Sequence, residues 1–137
     1  MTENLKNGEL VGVDLSKTFT QKGQPAELVL SGCSFHFEPK MLNVVMGTSG
    51  CGKSTLAHML SGYLKPDSGK LLCDGEPING SSSDRLMVFQ ETSLWPWMTV
   101  QDNVIFGPLS RGISSKDAIE SADTLLNRFG LIEFKDK

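Results

Sequence analysis

The sequence predicts an α/β fold, in which an antiparallel β part precedes a strand, a glycine-rich turn and a helix. Apolar residues alternate with others over 11–15 and 33–37, as is typical of half-buried antiparallel strands. Residues 41–46 are mostly apolar and β-rich without alternation, which predicts a strand covered on both faces. This strand is expected to end at Gly47, and a helical pattern begins at residue 53. The order strand, turn, helix therefore lies at the centre of the predicted fold.

The helix after the turn is predicted over residues 53–61. Leu56, Met59 and Leu60 are spaced so that they share one apolar face of a helix. Gly62 is the expected stop, because glycine readily ends a helix.

A turn and two short strands are predicted next. The composition of residues 65–69 favours a turn, and short strands are expected at 70–73 and 85–89. Serines 81–83 mark a loop between these strands.

Two helices are predicted in the last third of the chain. Thr99 is a candidate N-cap for a short helix over 100–106, which we expect Gly107 and Pro108 to close. Ser114 can cap the final helix, with Asp117 three residues on. Its expected buried face consists of Ile119, Ala122, Leu126 and Phe129, and Gly130 is expected to end it.

Length and composition favour one globular domain over residues 1–137. The chain has 39% hydrophobic residues and a net charge of −3, and its 13 Lys and Arg residues are scattered, which argues against a nucleic-acid partner. Its longest apolar run, 86–89, is far shorter than the ~20 residues of a membrane span. Residues 1–10 lack the pattern of a signal peptide. We therefore expect a cytoplasmic chain with no transmembrane segment of its own.

The three cysteines, Cys33, Cys51 and Cys73, have no CxxC spacing, so we interpret them as reduced thiols rather than as a disulfide framework or a zinc site. Two interpretations remain open for Cys51. It is either an oxidation-sensitive switch beside Lys53, or simply a small residue that its position tolerates.

Residues 47–54 fit the pattern GxxxxGK[ST] between a strand and a helix, which is the context of a P-loop. Backbone N–H groups can wrap a phosphate chain only where side chains are small and positive φ is allowed, and Gly47, Gly50 and Gly52 allow both. The N-terminal end of the following helix directs its partial positive charge at the same anion. A glycine-rich turn without a ligand is the alternative, but a chance match to the pattern in this chain is expected only about 0.5% of the time.

The charged and hydroxyl groups of the loop predict the phosphate chain of a nucleotide and Mg²⁺ as ligands. Lys53 is long enough to reach the β and γ phosphates, which makes it a candidate catalytic residue, and the Ser54 hydroxyl is placed to coordinate Mg²⁺. The residues predicted to bind the nucleotide in this segment are Gly47, Thr48, Ser49, Gly50, Cys51, Gly52, Lys53, Ser54 and Thr55.

With further segments included, the chain resembles the nucleotide-binding domain of ABC transporters essentially from end to end. Residues 15–19 resemble the opening strand of that family, in which an aromatic residue stacks on adenine, and the resemblance gives this role to Phe19. The alternative is that Phe19 is a core aromatic at a strand end. Residues 60–69 are similar to the connection that follows the P-loop helix in the family.

Residues 87–91 resemble the family strand that leads into the Q-loop. The resemblance implies that Gln90 is a second catalytic residue, that it joins Ser54 in the metal shell, and that it links nucleotide state to the partner. The alternative is an ordinary solvated polar residue after a strand.

Residues 93–100 resemble the segment that lines the groove for the permease coupling helix. The resemblance implies a permease contact near Trp95, Pro96 and Trp97, since aromatic side chains beside a rigid proline suit an interface. Alternatively, one or both indoles lie in the core. The amino-acid sequence of this segment is most similar to that of importers of the nitrate, sulfonate, taurine and bicarbonate type.

The resemblance stops before the family's signature, Walker B and H-loop segments, none of which occurs in the sequence. His36 and His58 fall in the early sheet and the P-loop helix, so neither is expected to act as the switch histidine. The predicted fold is thus a P-loop NTPase fold, an ABC ATPase core with an N-terminal antiparallel β part. It is expected to be truncated before the signature and Walker B segments, with residues 1–137 forming a single partial domain.

The expected function is that of a partial ATP-binding subunit of an ABC importer, which couples ATP binding and hydrolysis to solute transport. Its implied partners are a permease and a second nucleotide-binding subunit, at the inner face of the cell membrane. The alternative is a non-hydrolysing or regulatory ATP-binding fragment that needs a complementary chain. GTPases are disfavoured because NKxD and DxxG elements are absent from the sequence. Because the metal-holding aspartate and the carboxylate that activates water are missing, we expect at most trace ATP turnover. Because residues 41–46 lack a parallel partner strand, we also expect marginal stability.

Overall fold

A computed structural model describes residues 7–91 and 93–137. The described residues form two compact units, one ending at Val88 and the other spanning Phe89–Lys137. Residues 1–6 lie outside the described residues. They are part of segment 1–10, whose sequence lacks the pattern of a signal peptide.

The first unit contains a four-stranded antiparallel sheet with the order β2-β1-β3-β4. Its strands are β1 (Leu10–Phe19), β2 (Glu27–Phe37), β3 (Ser68–Cys73) and β4 (Glu76–Pro77). Leu10 at the start of β1 pairs with Phe37 on one side and with Cys73 on the other. The predicted antiparallel β part and the short strand at 70–73 are therefore confirmed.

Helix α1 (Lys53–Leu60) packs on the sheet and contributes residues to the hydrophobic core of the first unit. The core residues come from the sheet and from one face of α1, and they are Leu15, Leu30, Leu56, Met59 and Leu71. This burial removes apolar side chains from water and so holds α1 against the sheet. The predicted helix is confirmed, and it ends at Leu60, with Ser61 as its C-cap and Gly62 directly after.

The two strands predicted at 41–46 and 85–89 are absent from the structure, so both predictions are wrong. Leu42 and Val88 are 92% and 95% exposed, and neither segment joins the sheet. A strand of the predicted kind requires neighbouring strands and cover on both faces. Within residues 7–91 and 93–137 no strand pairs with either segment. A β-rich segment without a neighbouring strand cannot form the hydrogen bonds of a sheet.

Helix α2 (Val100–Ser110) opens the regular structure of the second unit. Thr99 is its N-cap, as predicted, and forms a capping box with Asp102. The prediction that Gly107 and Pro108 close the helix is wrong, because α2 continues to Ser110. Proline cannot donate to the carbonyl four residues back and its ring crowds that carbonyl, but only two residues of α2 follow Pro108, so the cost is confined to the last turn.

Helix α3 (Ser115–Arg128) is capped by Ser114, as predicted, and packs on α2. Ile105 of α2 lies in one cluster with Ala118 and Ala122 of α3. Of the predicted buried face, Ala122 and Leu126 are buried, whereas Ile119 and Phe129 are exposed. Small alanines let the two helices approach closely, which shifts the contact face towards position 118. A short 3₁₀ helix at Ile132–Phe134 follows, and no described helix is long and apolar enough to cross a bilayer.

Candidate functional site

The glycine-rich loop leads directly into α1 and is exposed over residues 47–51. Gly50 and Gly52 have φ angles of 80° and 91°, in the left-handed region that side chains disfavour. The Cys51 N–H donates to the Thr48 carbonyl oxygen at 3.4 Å, which closes a turn inside the loop. The backbone therefore adopts a tight path for which the glycines are needed.

Gly52 fixes the end of the loop against the sheet. A β-carbon at this position would lie 3.0 Å from the carbonyl oxygen of Val29 and 2.9 Å from a methyl carbon of Leu30, both in β2. Only a residue without a side chain fits this approach. The first turn of α1 is consequently held at a fixed place beside β2.

The N-terminus of α1 presents backbone donors that no side chain among residues 7–91 and 93–137 caps. Its N-cap residue is Gly52, no side chain caps the helix, and its first turn contains no acidic residue. The Leu56 N–H makes the first helical bond, to the Gly52 carbonyl at 2.9 Å, so the amides of residues 53–55 precede the helical ladder. These free N–H groups and the helix dipole fit an anionic ligand such as a phosphate chain.

The Lys53 side chain folds back over the loop. Its Nζ donates to the carbonyl oxygens of Gly47 and Thr48 at 3.0 and 2.6 Å, and it lies 3.6 Å from the Cys51 Sγ. The Lys53 ammonium group thus lies beside the loop. Because the side chain is flexible, it can exchange these two carbonyls for phosphate oxygens.

The Ser54 hydroxyl is exposed at the first turn of α1, where a cation bound to the phosphates would find an oxygen ligand. Among residues 7–91 and 93–137 no cluster of three His, Cys, Asp or Glu side chains forms a cage for a metal ion. This donor set fits Mg²⁺, which keeps several waters and is held mainly by substrate phosphates.

Phe19 ends β1 with 39% of its surface exposed, so it is not a core residue. The Nζ of Lys17 lies 5.8 Å from the centroid of its ring and 2.6 Å from Oδ1 of Asp67. Hydrogen bonds from the Lys17 ammonium and the Thr18 N–H hold the pKa of Asp67 below its usual range. Sequence reasoning assigned no role to Lys17 or Asp67. Its only usable signal was that Lys17 and Phe19 lie two residues apart on one strand.

Gln90 and the two tryptophans belong to the second unit, whereas the loop belongs to the first. Gln90 is exposed. Trp95 is half-buried and its ring lies 4.1 Å from that of Phe106, while Trp97 is 77% exposed. The two indoles therefore differ: one packs on α2, and the other faces solvent.

The first unit also contains a cavity of about 550 Å³ that residues 47–52 do not line. Its walls include Leu60 of α1, the C-cap residue Ser61 and residues 84–88. Within the described residues, the Nε of Arg85 is buried without a hydrogen-bond partner, although its guanidinium donates to the Gly80 carbonyl at 2.8 Å. The cavity is thus distinct from the residues predicted to bind nucleotide.

Comparison with known proteins places these features in a family. The family profile described as ABC transporter matches residues 30–137. The taurine import ATP-binding protein TauB of Roseobacter denitrificans is 45% identical over 93 residues, which are 68% of this chain and 35% of TauB. The nitrate import ATP-binding protein NrtD of Synechocystis sp. is 39% identical over 123 residues, which are 90% of this chain and 46% of NrtD.

A solved structure supports the fold. It is the dimer of an ATP-binding cassette in a post-hydrolysis state bound to ADP and Pi, with a TM-score of 0.71 and 23% identity. The match covers 93% of this chain and 60% of that one. The predicted P-loop NTPase fold class is therefore confirmed, and the chain spans at most about half the length of these importer relatives.

Proposed function

Because the chain belongs to the ABC transporter family, we propose that it binds ATP with Mg²⁺ as part of the ATP-binding subunit of an importer. The observation that carries the proposal is the uncapped N-terminus of α1, which follows a glycine loop and lies beside the Lys53 ammonium. Relatives named as taurine and nitrate import ATP-binding proteins support the importer class.

In the proposed binding mode, the loop amides and the first turn of α1 donate hydrogen bonds to the phosphate chain. Lys53 leaves the Gly47 and Thr48 carbonyls and places its charge on the β and γ phosphates. The Ser54 hydroxyl provides an oxygen ligand to the cation. A Mg²⁺ ion held there would neutralise part of the phosphate charge. The remaining loop residues, Thr48, Ser49, Cys51 and Thr55, contribute mainly through their backbone.

Two further roles complete the proposed site. The exposed ring of Phe19 offers a face for the adenine base, because aromatic rings stack on any base. Gln90 orients water and joins the metal shell through its neutral amide, which can move without moving a charge. These roles come from the resemblance to the family, and the exposure of both residues is compatible with them.

The proposed partners are a permease and a second nucleotide-binding subunit, at the inner face of the cell membrane. Trp97, with Pro96 beside it, is the more suitable permease anchor, since it is exposed whereas Trp95 packs on Phe106. We further propose that residues 1–137 act as one partial nucleotide-binding domain, although they form two compact units.

We propose ATP binding without hydrolysis by residues 1–137 alone as a second candidate function. Hydrolysis requires a metal-holding aspartate and a carboxylate that activates water, and the sequence contains no Walker B segment to supply them. The 137-residue chain alone should therefore turn over ATP far more slowly than ~1 per second, an ordinary enzyme rate.

Nucleotide binding is tested by titrating the chain with MgATP in a calorimeter, together with Lys53→Ala and the exposed control Lys22→Ala. We expect saturable binding that is about tenfold or more weaker in Lys53→Ala and unchanged in Lys22→Ala. Folded protein that neither binds MgATP nor gains thermal stability from it would refute the proposal.

Hydrolysis is tested by measuring phosphate release from the chain alone and after mixing with an intact homologous domain. Turnover that rises above the sum of the separate rates supports the importer function, because two domains then share one site. Turnover that stays at that sum favours the non-hydrolysing alternative. A rate of ~1 per second from the chain alone, lost in Lys53→Ala, would overturn the expectation of trace activity.

A further inference from the structure

Three residues, two at the end of β1 and one directly before β3, form one connected group in the first unit. Lys17 Nζ lies 2.6 Å from Asp67 Oδ1 and 5.8 Å from the centroid of the Phe19 ring. We propose that Asp67, acting through Lys17 and the β1 backbone, is a positioning residue that sets the Phe19 ring for a nucleotide base. This inference rests on the proposed function, in which Phe19 contacts the base.

Asp67 holds the backbone on both sides of Lys17. Its Oδ2 accepts the Thr18 N–H at 2.7 Å, and its own N–H donates to the Ser16 carbonyl at 2.9 Å. The bond to Thr18 is charge-assisted and therefore stronger than a bond between neutral groups. The last residues of β1, which end at Phe19, are consequently fixed to the segment that enters β3.

Lys17 connects the carboxylate to the aromatic ring. Its side chain is only 14% exposed, so its position is restricted, and its ammonium lies near the ring while paired with Asp67. An ammonium within about 6 Å of a ring centroid is attracted to the ring face. The Phe19 ring retains 39% exposure, which leaves surface for a stacked base.

Removing the Asp67 charge should therefore act on base recognition and not on phosphate recognition. Asp67 bonds to residues 16–18, and within the described part of the chain no hydrogen bond joins it to the loop amides, the α1 N-terminus or Lys53. A ligand with phosphates but no base, inorganic tripolyphosphate, isolates the two contributions.

The experiment measures the affinities of the full 137-residue chain for MgATP and for magnesium tripolyphosphate by calorimetry. In Asp67→Asn we expect the Kd for ATP to rise about two- to fivefold, the range an exposed ion pair supports, with tripolyphosphate affinity unchanged. Phe19→Ala should raise the Kd for ATP about five- to a hundredfold with the same selectivity. Glu76→Gln, which removes another exposed carboxylate from the same sheet, should change neither.

Lys17→Met keeps the bond between Asp67 and Thr18 but removes the ammonium, so it tests the role of Lys17 even where Asp67→Asn folds poorly. It should reproduce the selective loss of ATP affinity. Equal losses for ATP and tripolyphosphate, or an unchanged ATP affinity in both variants, would overturn the inference. An unchanged ATP affinity in Phe19→Ala would overturn the base contact itself, while absence of tripolyphosphate binding in the unaltered chain would instead refute the phosphate loop.

Discussion

Gly52 lies so close to Val29 that a β-carbon on it would stand 3.0 Å from the Val29 carbonyl oxygen. This approach joins the glycine-rich loop to β2, a strand of the antiparallel sheet. The glycine of the motif thus has a packing role as well as a conformational one. Under the proposed function, anion binding by the loop should depend on this contact, because the contact fixes the direction of α1.

Replacing Gly52 with alanine should destabilise the first unit. Its φ of 91° adds backbone strain to the collision with Val29, so we expect the free energy of unfolding to fall by about 2–4 kcal/mol. Gly23→Ala is the matched control, since φ is 84° there but the space is open, and it should cost about 1 kcal/mol. Denaturant titration measures both, and equal losses in the two variants would show that the Val29 contact is unimportant.

The contribution of Asp67 to stability should depend on pH. Folding lowers the pKa of this carboxyl, chiefly through the bond from Lys17, so folding favours its ionised form. The stabilisation is fully present above the unfolded pKa of about 3.9, and it is lost as the pH falls through the lower folded value. The melting temperature of Asp67→Asn should therefore lie below that of the unaltered chain at pH 7, and the gap should narrow below about pH 4. A gap that stays constant with pH would contradict this linkage.

The capping box of α2 should be measurable in the second unit. The Thr99 hydroxyl accepts the Asp102 N–H at 3.0 Å, and its loss in Thr99→Ala should cost about 1 kcal/mol. Ser121→Ala, at an exposed position inside α3, serves as the control and should be neutral or slightly stabilising. The difference is read from chemical denaturation followed by far-UV circular dichroism. A loss as large in Ser121→Ala would mean that capping is not the cause.

The two tryptophans should respond differently to truncation. Trp95 packs on Phe106, so Trp95→Ala should lower the free energy of unfolding by about 1–3 kcal/mol. Trp97 is mostly exposed, so Trp97→Ala should change it by no more than about 0.5 kcal/mol. Under the proposed function, Trp97→Ala should still weaken co-purification with the permease of a homologous importer. Unaltered co-purification with that variant would remove Trp97 from the proposed contact.

Local signals in the sequence predicted much of the fold. Alternation identified the antiparallel strands, and the caps at Thr99 and Ser114 were visible because capping depends on residues only three positions apart. The GxxxxGK[ST] pattern identified the loop for a similar reason, because its conformation is set by its own glycines.

Long-range pairing was not predictable in the same way. The composition of residues 41–46 indicates a strand, but a strand exists only where another segment pairs with it. The hydrogen bond between Asp67 and Thr18 joins residues 49 positions apart, and no local sequence pattern predicts it. Helix α2 also continues through Pro108. Only two helical residues follow this proline, so the cost of its missing N–H is confined to the last turn.

The unpaired backbone of residues 41–46 has a practical consequence for detecting assembly. Amide hydrogens outside a ladder exchange with deuterated solvent rapidly, whereas those in a central strand are protected. Any polypeptide that docks beside these residues would slow their isotope uptake. Mass spectrometry of the peptides next to Gly47 would then reveal such a docking event directly, without a dye or a tag.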